Sequence, residues 1–346
     1  MSGVARAGSP EAGTNPLEPA PQGVRLGGAH PLLGFLGRRA LFALVTLFAI
    51  SILIFAGTAV LPGDAANAIL GRNATPDSLA ALREQLHLNQ SVVAQYWHWI
   101  GGVVQGDFGL SAASGFPITS LIAEPARNTA ILAGCTALLL IPLALVLGVF
   151  AALRAGRGLD HTISVTSLAM TALPEFVTGT LLVLVFALTL GVLPAASFLQ
   201  AGDSPLQDPQ ILVLPVATLL AASLAQSVRM VRAGMVEALR SDYVEMARLN
   251  GYEEREVVLR HALRNALAPS VQVIALNIQW LVGGIVVTEY VFGYPGLGQT
   301  LVNAVAARDI PFVQSITLLV AAVYLALNIV ADLLVVLMIP KLRTAQ

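Results

Sequence analysis

Thr129–Leu153 reads TAILAGCTALLLIPLALVLGVFAAL, 25 residues without a charged side chain. An α-helix rises about 1.5 Å per residue and the hydrocarbon core of a bilayer is about 30 Å thick, so roughly 20 mostly apolar residues of helix cross it. The stretch is rich in Leu, Val and Ala and lacks the strict alternation of a barrel strand. Working outward, five more segments have this character: Ala40–Leu61, Thr162–Leu190, Ile211–Val228, Val271–Phe292 and Val313–Ile339. Together they predict an all-α integral membrane protein with six transmembrane helices. Pro142, Pro174 and Pro215 interrupt three of the segments. Such breaks are either irregularities absorbed by neighbouring groups or points where a transport path flexes.

The composition supports the membrane reading and removes other classes. Of 346 residues, 56% are hydrophobic and 11% charged, where a soluble domain carries about a quarter charged. A water-soluble enzyme of this size would lack the charges to wet its surface, and a disordered chain needs low hydrophobicity. Nineteen Lys+Arg against 20 Asp+Glu give a net charge of -1, so no overall basic field recruits nucleic acid. Cys135 is the single cysteine; it cannot form an internal disulfide, and within an apolar span it is a packing residue.

The chain divides into four parts. Residues 1–37, rich in Gly, Ala and Pro without hydrophobic periodicity, read as a disordered cytoplasmic tail. The apolar stretch after Arg38 and Arg39 is full length with no clear cleavage site, so 38–61 is a retained first helix rather than a removed signal. Residues 62–126 form an outer segment, and 127–343 a five-helix core with a polar loop at 233–269. With the amino terminus inside, fifteen of the 19 basic residues fall on the inner side. The positive-inside rule therefore predicts a multi-pass membrane protein, in contact with lipid, with both termini cytoplasmic.

In the outer segment, Thr75-Pro76-Asp77 opens a helix with a capping hydroxyl, a first-turn proline and an acid near the positive end. Leu79, Leu82, Leu86 and Leu88 follow near helical spacing. A second helix is predicted over Val92–Val104, with Tyr96, Trp97 and Trp99 suited to the membrane interface. Gly106-Asp107-Phe108-Gly109 ends it in a turn. This segment is either a docking face for an outside partner or a structural cap on the bundle.

Between the fourth and fifth spans, Arg229–Pro269 is unusually polar. Asp242 suits the cap of a short helix, Tyr243–Leu249, with Glu245 at the reciprocal capping-box position. Asn250-Gly251 is a left-handed stop. A second helix is predicted from Glu253 to Ala268, closed by Pro269, with Glu256 and Arg260 paired four apart. The two helices make a knob that presents Tyr243, Met246 and Leu249 to a groove on another protein; the alternative is a solvated amphipathic loop.

The stretch from Asp242 to Gly251, DYVEMARLNG, continued by RHALRNALAP from Arg260 to Pro269, resembles the EAA loop of ABC importer permeases. It is most similar to the dipeptide/oligopeptide/nickel branch. Other pieces agree in order: Leu61-Pro62-Gly63-Asp64, Gly106-Asp107-Phe108-Gly109-Leu110-Ser111, Glu289-Tyr290-Val291-Phe292, Pro295-Gly296-Leu297-Gly298 and Ala307-Arg308-Asp309. The likeness runs from about Arg38 to Arg343, and the long outer segment resembles the B-type subunit. Two departures stand out: Glu245-Met246-Ala247 lacks alanine at its second position, and Arg264 stands where shorter loops carry proline. The resemblance implies a permease that forms half of a path for peptides or a related small solute, nickel included. It implies a paralogous C-type permease subunit, two cytoplasmic ABC ATPase subunits and an extracytoplasmic substrate-binding protein as partners. Asp242, Tyr243, Glu245, Met246, Ala247, Arg248 and Gly251 would then be the ATPase-coupling residues.

The chain carries no engine of its own. A Walker A loop needs a lysine among its glycines, and the single lysine, Lys341, follows no such run. His30, His87, His98, His161 and His261 are scattered without metal-site spacing, and no Gly-x-Ser-x-Gly elbow occurs. No catalytic residue, metal or cofactor is expected. Glu175, Asn277, Glu289, Asn328 and Asp332 lie in or beside apolar spans. A charge at the bilayer centre costs about 2.5–3.5 kcal/mol or more, so these groups should face protein or water. Glu175 and Glu289 are candidates to border the translocation path, Glu289 otherwise being hydrated, and Asp332 to pair with an arginine of another helix. The rival function is a gradient-driven secondary transporter, which would be expected to show inverted repeats and paired broken helices.

Overall fold

The computed structural model describes residues 31–59, 70, 75–85, 89–200 and 202–338. Among them the chain is helical, with one isolated bridge between Leu110 and Pro117. The helices are α1 (Pro31–Ala59), α2 (Pro76–Gln85), α3 (Val92–Val104), α4 (Ile118–Leu153), α5 (Gly158–Ala172), α6 (Glu175–Leu182), α7 (Gln210–Leu239), α8 (Asp242–Leu249), α9 (Leu263–Phe292), α10 (Leu297–Ala306) and α11 (Ile310–Met338). α1 begins at Pro31, inside the segment assigned above to the tail; the rest of that tail lies outside the described residues.

Among the described residues, five helices are long and apolar enough to cross a membrane: Gly34–Ala59, Ile118–Leu153, Gln210–Leu239, Val273–Phe292 and Ile310–Leu334. The third predicted span is different. Instead of one rod over Thr162–Leu190, α5 and α6 meet at a bend of 111°. Pro174 supplies no N–H and pushes its predecessor out of the helical region, and Leu173 is extended at φ -90°, ψ 128°. α6 then loosens into a π-helical turn, Val183–Thr189. Pro142 and Pro215, by contrast, sit inside unbroken helices.

Burial ranks the spans. In the apolar window of α7, 72% of residues are buried, against 6% for α1. α7 is thus the mast on which the others lean, and α1 is the outrigger. α4 crosses α7 closely at Gly148, where an added Cβ would lie 2.6 Å from that of Val231; without a hydrophobic drive between helices in lipid, close approach over small residues supplies the dispersion contacts. α1 leans on α11, and the predicted pairing of Asp332 is made by Arg39 at 3.1 Å. Asn277 is satisfied by Ser223 and Ser227 of α7.

The end of the bundle where α4 and α7 finish holds Arg154, Arg157, Arg240, Arg248, Arg255 and Arg260; we call it the arginine-rich end. At the opposite end lie α3, the loop 105–117 and α10. α3 has the predicted bounds, with Ser91 accepting from the Ala94 amide at its start. Its buried face is Tyr96, whose hydroxyl bonds to Ser51 of α1 at 2.8 Å while its ring meets Phe48 and Phe55 edge-on. Trp97 stays exposed. α2 starts at Pro76 with Asp77 in its first turn, as predicted; residues 86–88 lie outside the described residues.

Candidate functional site: a polar knob and two buried carboxylates

The knob at the arginine-rich end begins where α7 stops at Arg240. The cap position belongs to Ser241, extended at ψ 150°, and not to Asp242, which is the first residue of α8. The predicted capping box does not form. Ser241 turns its hydroxyl back to the Ala238 carbonyl at 2.5 Å, while its own carbonyl accepts from Val244 and Glu245. Asp242 and Glu245 still occupy the positive first turn of α8.

α8 has two faces. Val244 and Ala247 are buried in one apolar cluster with Val231, Met235 and Ala238 of α7 and Val257, Val258 and Ala262 beyond the knob. Tyr243, Met246 and Leu249 point outward, 43%, 58% and 75% exposed. The spacing of three puts them on one stripe, so the inner face anchors while the outer face remains free to dock. Gly251 closes the helix at φ +83°. There the Tyr252 amide reaches the Ala247 carbonyl at 3.3 Å and the Gly251 amide reaches Arg248 at 3.0 Å, a left-handed helix stop that suits glycine.

One contact in the knob was absent from the sequence reading. Arg248 grips Glu254 with two bonds, Nε to Oε2 at 3.0 Å and Nη2 to Oε1 at 2.7 Å. The hydrogen bond from Arg248 holds the Glu254 carboxyl below the ordinary glutamate range, and the same bond raises Arg248. The residues are six apart across a turn, outside the helical i,i+4 rule. The predicted Glu256–Arg260 pair is present at 2.6 Å.

The predicted second helix is corrected in its end. Glu254–Glu256, a π-helical turn at Val257–Ala262 and α9 form one continuous rod, which passes through Pro269 to Phe292. A proline removes one amide donor, a loss that a membrane helix among neighbours tolerates. The knob therefore joins the fifth span without a hinge at residue 269.

Glu175 and Glu289 both lie against α9 or its end. Glu175, half-buried in the first turn of α6, sets its carboxylate where a side chain at Gly284 would otherwise sit. Glu289 is 0% exposed rather than hydrated. It accepts from Thr129 Oγ1 and the Gly298 amide, both at 2.6 Å, and from the Gln299 amide at 3.3 Å. Its carboxylate thus caps the start of α10 and ties it to α4. Gly296 and Gly298 are the residues whose side chains would collide with it, which accounts for the Pro295–Gly298 motif. Tyr294 donates to the Asn128 carbonyl at 2.7 Å, and Asn128 returns a bond to the Pro295 carbonyl at 2.9 Å. Beside this corner an apolar cavity of about 400 Å³ opens between α4, α9 and α11, with Thr129 and Gly298 in its wall.

A second knot went unread in the sequence. Asp309 accepts from the Ser111 hydroxyl at 2.5 Å and from the amides of Ala112, Ala113 and Phe312 at 2.9, 3.2 and 3.3 Å. Two motifs 198 positions apart are one structure. Carboxylates thus flank α10 on both sides.

Long apolar helices packed around α7, with a two-faced polar knob at one end, are the architecture of a multi-pass membrane protein. Residues 144–344 match the model of the binding-protein-dependent transport system inner membrane component, and residues 32–118 match that of its amino-terminal part. The chain belongs to this family of multi-pass inner-membrane permease subunits of ABC importers. It is similar to the glutathione transport system permease protein GsiC of Escherichia coli (strain K12), with 36% identity over 312 residues, 90% of this chain and 99% of the relative. The proteins of that name from Shigella dysenteriae serotype 1 and Shigella flexneri serotype 5b match to the same extent.

Proposed function

We propose that this chain forms one half of the path of an ATP-driven importer for glutathione or similarly small peptides. Its arginine-rich end and both termini face the cytoplasm. A similar C-type subunit supplies the other half, a binding protein delivers the solute at the opposite end, and two separate ATPases supply free energy. The supporting observation is the two-faced α8: Val244 and Ala247 fasten it to α7 and to the rod of the fifth span, while Tyr243, Met246 and Leu249 stay bare. A groove on each ATPase would take that apolar stripe. Movement of the knob would be transmitted to two spans at once. Glu175, at the bend between α5 and α6, borders the route, and Glu289 holds the corner on its rim.

The substrate class is supported by the name of the relatives and by a similarity that covers nearly their whole length. The missing Walker lysine supports a separate engine. Reconstitution tests the reading: vesicles holding both permease subunits should take up labelled glutathione only with ATPases, ATP and binding protein present. Leu249→Asp should abolish ATPase association and uptake together. Uptake driven by an ion gradient without ATPases would overturn it in favour of a secondary transporter.

A further inference from the structure

α5 is held in an unusual way. Its buried residues are Asp160 and Ser167, both polar. The helix also rests along α7, where its remaining residues, Ile163 among them, are half-buried or exposed. Its foot is held by one ion pair. The Asp160 carboxylate takes both Nε and Nη2 of Arg232, the latter at 2.7 Å, and also the Gly156 amide at 2.8 Å and, more weakly, the Ser164 hydroxyl at 3.5 Å. Asp160 is 4% exposed. Two parallel bonds to a planar guanidinium set orientation as well as distance, so the joint resists rotation in addition to separation.

The two ends of this joint lead to the two parts of the mechanism. Arg232 stands on α7 about 10 Å along the axis from the end of that helix at Leu239, at about 1.5 Å per residue, and α8 begins three residues further on. Its neighbour Val231, with Met235 and Ala238, is in the same apolar cluster as Val244 and Ala247 of α8. A displacement of the knob therefore carries Arg232 with it. Asp160 stands in the first turn of α5, whose far end bends at Leu173-Pro174 directly into Glu175.

We propose that Asp160 and Arg232 are a pair of positioning residues that make α5, and through it the Glu175 limb, follow the knob. This rests on the reading that ATPases work on α8. Without the pair, α7 and α8 would still move on nucleotide binding, and α5 would stay behind.

The test uses the assembled importer, both permease subunits with their ATPases, in lipid nanodiscs and a Cys135→Ala background. Spin labels are placed as two pairs, Thr166 with Val330 to report α5, and Glu237 with Val330 to report the end of α7; all three positions are exposed. A non-hydrolysable ATP analogue should shift both distances in the unmodified chain. Asp160→Asn keeps an oxygen for the Gly156 amide and removes the charge; it should lose the α5 shift and keep the α7 shift. Asp160→Glu, which retains the charge, should recover the α5 shift. Equal α5 shifts in Asp160→Asn and the unmodified chain would overturn the joint alone. Absence of the α7 shift in the unmodified chain would overturn the coupling reading and the joint with it.

Discussion

Replacing Glu289 separates a structural carboxylate from one whose charge serves transport. The group is fully buried and satisfies three donors: the Thr129 hydroxyl and the amides of Gly298 and Gln299. Each buried donor left without a partner costs about 1–3 kcal/mol. Glu289→Ala orphans all three and opens a hole at the start of α10, for a loss of about 3 kcal/mol or more. In a protein of ordinary marginal stability that is a large share of the total, and for a chain of 346 residues it corresponds to a fall of roughly 4 °C in the thermal midpoint. Glu289→Gln keeps the shape. Its carbonyl can accept from both amides, and its NH2 can donate to Thr129 Oγ1, which already accepts from the Leu297 amide at 2.8 Å. That exchange should cost about 1 kcal/mol, the net worth of a single hydrogen bond. The assay pairs thermal unfolding of the detergent-solubilised permease with uptake in reconstituted vesicles. The expected result is a strongly destabilised Ala variant and a Gln variant near the unmodified protein in both measurements. An Ala variant as stable as the unmodified chain would refute the capping argument. A stable Gln variant without uptake would show that the charge itself serves the route.

Further predictions concern the knob and the mast. Gly251→Ala meets no neighbour, since nothing lies within 4 Å of an added Cβ; its cost is the left-handed backbone, about 1–2 kcal/mol, read as weaker co-purification of ATPase with the bundle still folded. Gly148→Leu would drive α4 off Val231 and cost about 1–3 kcal/mol by overpacking, read as a lower thermal midpoint. The Arg248–Glu254 grip follows pH with a definite sign. Because the Glu254 carboxyl lies below its ordinary value, the contribution is fully present above the ordinary glutamate range and is lost as pH falls through the lowered value. Protease cleavage near Gly251 should therefore accelerate on acidification, and Arg248→Ala should flatten that dependence.

Legibility in the sequence followed the range of the forces involved. α3 was read to the residue because its apolar and aromatic run acts locally, although the Ser91 cap that starts it was not read. The knob was legible because a polar stretch inside a chain this apolar has to leave the membrane. The shift of its cap from Asp242 to Ser241 was not: both residue types cap well, and the choice depends on where α7 ends. Hydropathy measures length and not direction, so Thr162–Leu190 read as one span although Leu173 and Pro174 turn it by 111°. Pro269 read as a stop by a rule suited to helices in water, whereas the rod passes through it. The joints Asp160–Arg232 and Ser111–Asp309 connect residues 72 and 198 positions apart, and no local pattern records such pairings. Glu289 was marked as a polar group in an apolar span, but its partners come from α4 and from the start of α10, and only the folded chain brings them to it.

Photo-crosslinking from α8 in the assembled importer tests most directly whether the bundle is worked through its knob. A photoreactive side chain at Met246 or Leu249, on the bare stripe, should give covalent adducts with the ATPase, and one at Val244, buried against α7, should give none. Adducts with the ATPase from Asn303 at the opposite end, with none from Met246 or Leu249, would contradict the account.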